Sequence, residues 1–449
     1  MGRAPVLAAL LLLLLLAVCP ALFAVDRVPR PEFQSGYQLP EVQTPAPRSL
    51  AFEYLDVAAL AVGLVASGWL ALQARSREGI FLLGILSIAY FGFFRKGCVC
   101  PIGSIQNVAL SLADGGYTLP TAVVGFFTLP LVAALLMGRG FCAAVCPFGA
   151  LQDAMIVKPL RIPRWLSVPL GFLPVVYLGL AVLFAATGAD FIVCRFDPFV
   201  SFFRMGGRPE IFALGACFLV LGSVVARPYC RFVCPYGVVL KWLSRLSLLH
   251  STISPDSCVQ CRLCGEACPF DAIRPPSPPQ PAHPSAGEKR AFGAALAALP
   301  LLVALGGYAG FLLAPSLALV HPTVRLAIQV LREDAGEVKT TTLESDTFRS
   351  TTTTTEELVR QAALARQRFA WGSPVFGGFV MFVLTAGFLG SFLRRRSSAY
   401  TPDRGECFSC GRCFSSCPRE HLRLRERAGA RAGSRAGGRA AARAKGGGP

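Results

Sequence analysis

The sequence predicts an all-α polytopic membrane protein of about eight transmembrane helices, bearing a small cysteine-rich module split in two. Three observations predict it. Of 449 residues, 53% are hydrophobic and only 16% charged, where a soluble domain carries about a quarter charged. An ordinary soluble enzyme and a disordered chain are both excluded. Eight apolar runs approach the ~20 residues that a helical span needs. Seventeen cysteines fall mainly in tight runs, a pattern for metal chemistry rather than disulfides in so large an apolar chain.

Taken in order, residues 1–24 read as a signal peptide or anchor helix, with an apolar run at 6–24 that contains Cys19. Residues 25–50 are Pro-rich and polar, an extracytoplasmic segment. Region 51–250 holds spans at 51–73, 79–94, 118–137, 166–187 and 210–226, the second short enough to be re-entrant. Residues 251–290 form the first half of the cysteine module, and 291–318 is a span. The extracytoplasmic loop 319–372 carries Thr340–Thr342 and Thr351–Thr355 and reads as a linker in preference to a docking segment. A span at 373–393, with its apolar run from 374, leads to the second half at 394–421. The remainder, 422–449, is a basic disordered tail.

A net charge of +18 invites a nucleic-acid reading, but 421–449 alone holds eight Arg or Lys against one Glu. Most of the other cations flank apolar runs, where Lys and Arg set orientation. Nucleic acid is therefore not an expected partner; the lipid bilayer is, together with redox proteins or a quinone. Alternation from a cytoplasmic N-terminus puts Arg75, Arg77, Arg139, Arg227 and Lys241 inside, as in a bacterial-type inner membrane with the cysteine module cytoplasmic. Arg95-Lys96 and Arg204/Arg208 fall outside and break that rule. Glu53, Asp56 and Asp190 near span ends are interfacial anchors or, less simply, part of a quinone site.

The strongest chemical signal is Cys258-x2-Cys261-x2-Cys264-x3-Cys268-Pro269 and its copy Cys407-x2-Cys410-x2-Cys413-x3-Cys417-Pro418. This is the bacterial ferredoxin run, in which three cysteines grip one [4Fe–4S] cluster and the fourth ligates the other. Zinc would show two separated pairs instead. Cluster 1 would use Cys258, Cys261, Cys264 and Cys417; cluster 2 would use Cys407, Cys410, Cys413 and Cys268. Residues 269–406 separate the copies and contain two spans, so the chain returns to the same face.

A weaker repeat lies upstream. Cys142-x3-Cys146-Pro147 and Cys230-x3-Cys234-Pro235 each end a span and lead into a helix, with Gly149 and Gly237 two residues beyond the proline. These four thiols suit a further metal or redox centre, redox dithiols, or plain packing. Cys98 and Cys100 break the spacing and face outward near Cys194, as an exit metal site or an external disulfide. Cys217 lies mid-span and packs there. No haem or dinucleotide motif accompanies them.

Through these motifs the chain resembles the NapH/NosR/CcoG superfamily of polytopic membrane iron–sulfur proteins over about residues 50–420. NapH-like members are associated with quinol oxidation, NosR-like ones with delivery to an extracytoplasmic reductase, and CcoG-like ones with copper reduction. The resemblance implies that the eight ferredoxin cysteines are cluster ligands, and Cys142, Cys146, Cys230 and Cys234 match the family's short motifs. Two functions follow as expectations. One is electron transfer between a cytoplasmic or quinol donor and a membrane or extracytoplasmic acceptor. The other is a copper-reducing or metal-handling factor for assembly of a metalloenzyme, with Cys98, Cys100 and Cys194 as metal ligands.

Overall fold

The computed structural model describes residues 49–97, 100–253, 258–276, 286–392 and 399–426. The first apolar run, the extracytoplasmic segment up to 48, Cys98 and the tail from 427 lie outside the described residues. Within them the chain is mostly helical. Five helices are long and apolar enough to cross a membrane: Leu50–Ala74, Arg77–Phe94, Trp165–Ala186, Lys289–Ala318 and Thr355–Gly390. A sixth arises if Pro198–Arg204 and Pro209–Val224, bent by 104° to one another, count as one. Thr121–Met137 is apolar but only 17 residues long, closed by Gly138 at φ 76°. Of the eight expected spans, seven fall within the described residues, and five or six of these are long and apolar enough to cross.

Proline writes many of the helix starts, since its missing N–H is an orphan there anyway. Six starts share one form, a residue in extended or near-extended backbone followed by proline; two are Arg208-Pro209 and His321-Pro322. The other four are Cys100 before α1 (Pro101–Ala113), Cys146 before α2 (Pro147–Ala154), Asp197 before α3 (Pro198–Arg204) and Cys234 before α4 (Pro235–Arg245).

The stretch 319–372 corrects an expectation: it is folded, not a linker. Helices α6 (Pro322–Asp334) and α7 (Leu343–Arg349) follow α5 (Ala286–Ala318) and lead into α8, a helix spanning Thr355–Phe392. Val324, Ala327, Val330, Phe348, Leu358, Ala362 and Ala365 close a small core of their own. The threonines that suggested low complexity include caps. Thr342 forms a capping box with Ser345, and Thr354 Oγ1 accepts from Glu357 N at 3.3 Å.

Helices α5 and α8 run antiparallel in close contact. A Cβ on Gly310 would strike the Ser373 carbonyl, and one on Gly377 the Gly306 carbonyl, so small residues set the approach, as at membrane helix crossings. The hairpin returns the chain to its start: β1 (Ile273–Arg274) pairs antiparallel with β2 (Thr401–Pro402). The main core is continuous from the helices into the two cysteine halves, taking in Phe141, Phe148, Tyr229 and Tyr236 with Phe270, Phe408 and Cys410.

Candidate metal centre

The two ferredoxin-type runs interlock around two hollows. The first is lined by Cys258, Cys261, Cys264 and Cys417, together with Cys413, Arg75 and Tyr400. The second is lined by Cys268, Cys407, Cys410 and Cys413, with Phe270 and Phe408. Each hollow therefore draws thiols from both halves, across more than a hundred residues of chain. Among the described residues no three His, Cys, Asp or Glu groups close on one point as a single ion needs; the thiols ring a space instead.

Both halves make that ring by the same backbone device. Gln260 and Ser409, each two residues after the first cysteine, have φ 54°, and Arg262 and Gly411, each after the second, have φ 65° and 77°. Left-handed residues inside a turn direct successive N–H groups into a concavity that favours anions. Ser409 N–H accordingly donates to Cys407 Sγ at 3.4 Å, and amides of Gly265 and of Phe270 and Ala272 donate to Cys264 and Cys268. Burial pushes the Cys264 thiol up to about 11 and Cys407 to about 12. As free thiols they stay protonated at neutral pH, so a cation must supply the charge that makes them thiolates. Thiolate-ligated iron with N–H donors on sulfur fits this setting.

Arginines fasten the module to the helices. Arg75 pairs with Glu420 at 2.7 Å and lies 4.3 Å over the Phe414 ring. Arg139 lies 4.0 Å over Phe408 and donates to Gly405 O at 3.2 Å. Arg77 Nη1 donates to Cys410 O at 3.1 Å. Asp153, next to α2's end, gathers Arg77, Arg227 and Arg412 at 2.5, 3.2 and 3.4 Å. Burial alone would raise its carboxyl, but these three guanidiniums hold it below the usual carboxylate range.

Sequence reading gave several of these arginines to membrane orientation; packing gives them another role. Arg139 and Arg227 are 3% and 0% exposed. Arg95, which broke the charge rule, pairs with fully buried Asp56 at 2.8 Å, and Tyr90 donates to the same carboxylate at 2.8 Å. Asp56 is thus a buried ion-pair partner, while Asp190 pairs with exposed Arg195 at 2.7 Å.

The upstream cysteines also converge. Cys142, Cys146, Cys230 and Cys234 lie within electrostatic reach of one another and next to the second hollow, because Arg227 lies 5.4 Å from Phe408 and 5.7 Å from Phe270. Cys194 sits against α1, with its sulfur 3.1 Å from where a Cβ on Gly103 would stand, and is near Cys100. Sequence reading missed a neighbour there. Asp197 is buried and caps α3 through Phe199 N and Val200 N, at the place where the other copies carry Cys-Pro. The signal was Cys194-x2-Asp197-Pro198 after a span, hidden because only cysteines were counted.

Fold and site together define a multi-pass membrane iron–sulfur protein. The 4Fe-4S binding domain Fer4_5 matches residues 118–167 and 209–253, and the 4Fe-4S binding domain Fer4 matches 251–274. YccM of Escherichia coli K12, assigned to electron transport by its name, is 25% identical over 189 residues, 38% of this chain and 52% of YccM. Regulatory protein NosR of Stutzerimonas stutzeri is 28% identical over 207 residues, 42% of this chain and 29% of NosR. Protein NirI of Paracoccus denitrificans is 31% identical over 154 residues, 31% of this chain and 23% of NirI. These matches, to a protein named for electron transport and to NosR and NirI, agree with the resemblance that the cysteine motifs carry. The chain spans about half the length of YccM and less of NosR and NirI. No solved structure matches it.

Proposed function

We propose that the chain is an electron carrier of a bacterial-type inner membrane, with its ferredoxin halves cytoplasmic. It would pass electrons between a cytoplasmic or quinol donor and a membrane or extracytoplasmic acceptor. Cys258, Cys261, Cys264 and Cys417 would hold one [4Fe–4S] cluster, and Cys407, Cys410, Cys413 and Cys268 the other. The observation that carries this reading is the exchange of cysteines between halves at the two hollows. Each bound cluster would supply one-electron chemistry.

The chain's own residues do the rest. Cys261 is exposed, so the first hollow opens to a soluble partner. The second is walled by Phe270 and Phe408, and buried Arg139 and Arg227 lie against the Phe408 ring, bringing positive charge near the ligating sulfurs. Burial, local charge and N–H donors are the levers that set a cluster's potential. Iron and acid-labile sulfide in the anaerobically purified chain, with an EPR signal on reduction, test the reading. Cys417→Ser should disturb the cluster of the first run, and Cys268→Ser that of the second. If each change disturbs only the cluster of its own run, the exchange is wrong.

A second reading, copper handling at the outward end, is favoured by the approach of Cys194 to Cys100. It predicts Cu(I) binding that vanishes when Cys98, Cys100 and Cys194 become serine while iron is kept. Copper binding unchanged by those substitutions removes it.

A further inference from the structure

The two hollows meet different surroundings. Cys261, which lines the first, is the only exposed cysteine of the two ferredoxin-type runs. Val259 and Leu263, two residues to either side of it, are exposed apolar side chains, and Arg262 between Cys261 and Leu263 is exposed as well. From the other run, the chain turns helical over 418–426 directly after Cys417. Arg419 and Arg423 stand four apart there, hence on one face, and both line the same hollow as Arg262. Arg161, from the loop ahead of the span 165–186, joins them by donating to Gly265 O at 3.0 Å. In the sequence the step of four continues through Arg427, Arg431, Arg435, Arg439 and Arg443.

This positive charge is not balanced locally. The only acid among the described residues lining that hollow is Glu420, which is buried and taken up by Arg75 at 2.7 Å. Arg262 and Arg419 pair with no acid among the described residues. Beside the second run the cations are matched: Arg274 pairs with Asp403, and Lys241 with Glu406. An apolar spot ringed by charge has the anatomy of an interface. Brief redox encounters need only a small one.

We propose that this rim is the docking face for a soluble, acidic electron-carrier protein. Its carboxylates would meet Arg161, Arg262, Arg419 and Arg423, and an apolar spot on it would close over Val259 and Leu263 beside Cys261. The inference rests on the electron-carrier reading and names the chemistry of its cytoplasmic donor. One electron leaves the reduced carrier and enters the iron–sulfur centre of the first hollow; the carrier is oxidised by one electron, and no bond forms or breaks. Anionic lipid would satisfy the guanidiniums too, but it would set Val259 and Leu263 against polar headgroups. A protein partner satisfies both.

The test uses the full chain with its clusters, in nanodiscs of neutral phosphatidylcholine. The probe is a strongly acidic bacterial flavodoxin. Binding of its oxidised form is read by biolayer interferometry, and electron transfer from its reduced form, freed of reductant, by stopped-flow absorbance. Both should weaken on the order of tenfold between about 0.02 and 0.3 M salt, as screening shortens the reach of the charges. Arg262→Glu with Arg419→Glu should lose about tenfold in affinity and on-rate at low salt and differ little from wild type at high salt. Neither change strains the fold. Arg and Glu bear the same left-handed φ at 262 equally, and a carboxylate suits the first turn of the helical stretch at 418–426. Absent or salt-independent wild-type binding overturns the proposal even if the variant fails to fold. So does a variant with an intact dithionite-reduced EPR signal that binds as the wild type does. If the reversals leave flavodoxin binding unchanged but release anionic phosphatidylglycerol that co-purifies with the chain, the rim belongs to lipid and the proposal fails. No EPR signal from dithionite-treated wild type would sink the electron-carrier reading instead, and the binding measurement would still decide the docking face.

Discussion

The ferredoxin halves and the paired Cys-x3-Cys-Pro motifs hold their thiols by opposite means. In the halves, cysteines ride on turns with left-handed residues, two-residue strands and helices of four or five residues. In the motifs, the second cysteine of each copy sits at the start of a longer helix, α2 or α4, inside the main core. Short turns have few backbone hydrogen bonds of their own, so their shape depends on side chains such as Phe270 and Phe408 that reach the main core. Helix starts in a packed core are set by the surrounding helices. One site is built on turns, the other on its helical scaffold.

Removing iron should break that contrast open. Chelation is expected to raise hydrogen exchange and proteolysis at 258–276 and 399–426 by orders of magnitude, because metal binding there is folding free energy. Exchange at 141–154 and 228–245 should hardly change. Equal loosening of both regions would abolish the distinction.

Asp153 joins the two regions, so Asp153→Asn should cost about 3–5 kcal/mol by leaving buried guanidiniums uncompensated, read as a lower unfolding temperature in detergent. The pH dependence has a fixed sign. The folded carboxyl sits below its ordinary range, so its stabilisation is present above that range and lost as pH falls through the folded value. In acid the wild type should weaken towards the Asn variant, which lacks this slope.

Gly149→Ala sharpens the comparison within the scaffold-held site. Its Cβ would meet backbone at 2.6 Å, against 3.2 Å for Gly237→Ala. The first should cost about 1–3 kcal/mol and the second less; the reverse order would show that the two copies are not held alike. The smallest effect belongs to the turns. Gly411→Ala should cost about 1–2 kcal/mol at its left-handed φ, and Arg262→Gly at the matching position should recover up to about that much, both measured by thermal unfolding of the reconstituted protein.

How much was legible in the sequence follows from contact range. The eight ferredoxin thiols announce themselves because their spacing is local, and the even number of spans between the copies brought them to one face. Arg139, Arg227 and Asp153 were invisible as a network because their partners lie far off in the chain, Arg412 being 259 residues from Asp153. A charged residue at a span's end reads as an orientation charge or anchor unless its burial is known, which is how the pairing of Arg95 with Asp56 escaped notice. The folded 319–372 segment was lost to its threonines, where capping and low complexity look alike. Asp197 was lost because it stands where the other copies carry cysteine.

The α5–α8 hairpin has a consequence for biosynthesis. Neither hollow has its full set of walls until both halves exist, and Cys417 is made 159 positions after Cys258. At ordinary translation rates that gap lasts roughly ten to thirty seconds, during which helices α5 and α8 must be inserted and zipped along their glycine contacts. A chain that stalls or inserts the hairpin wrongly presents three-thiol fragments that cannot close. The hairpin thus sets an order of assembly, because neither hollow is walled in before both of its helices are in place.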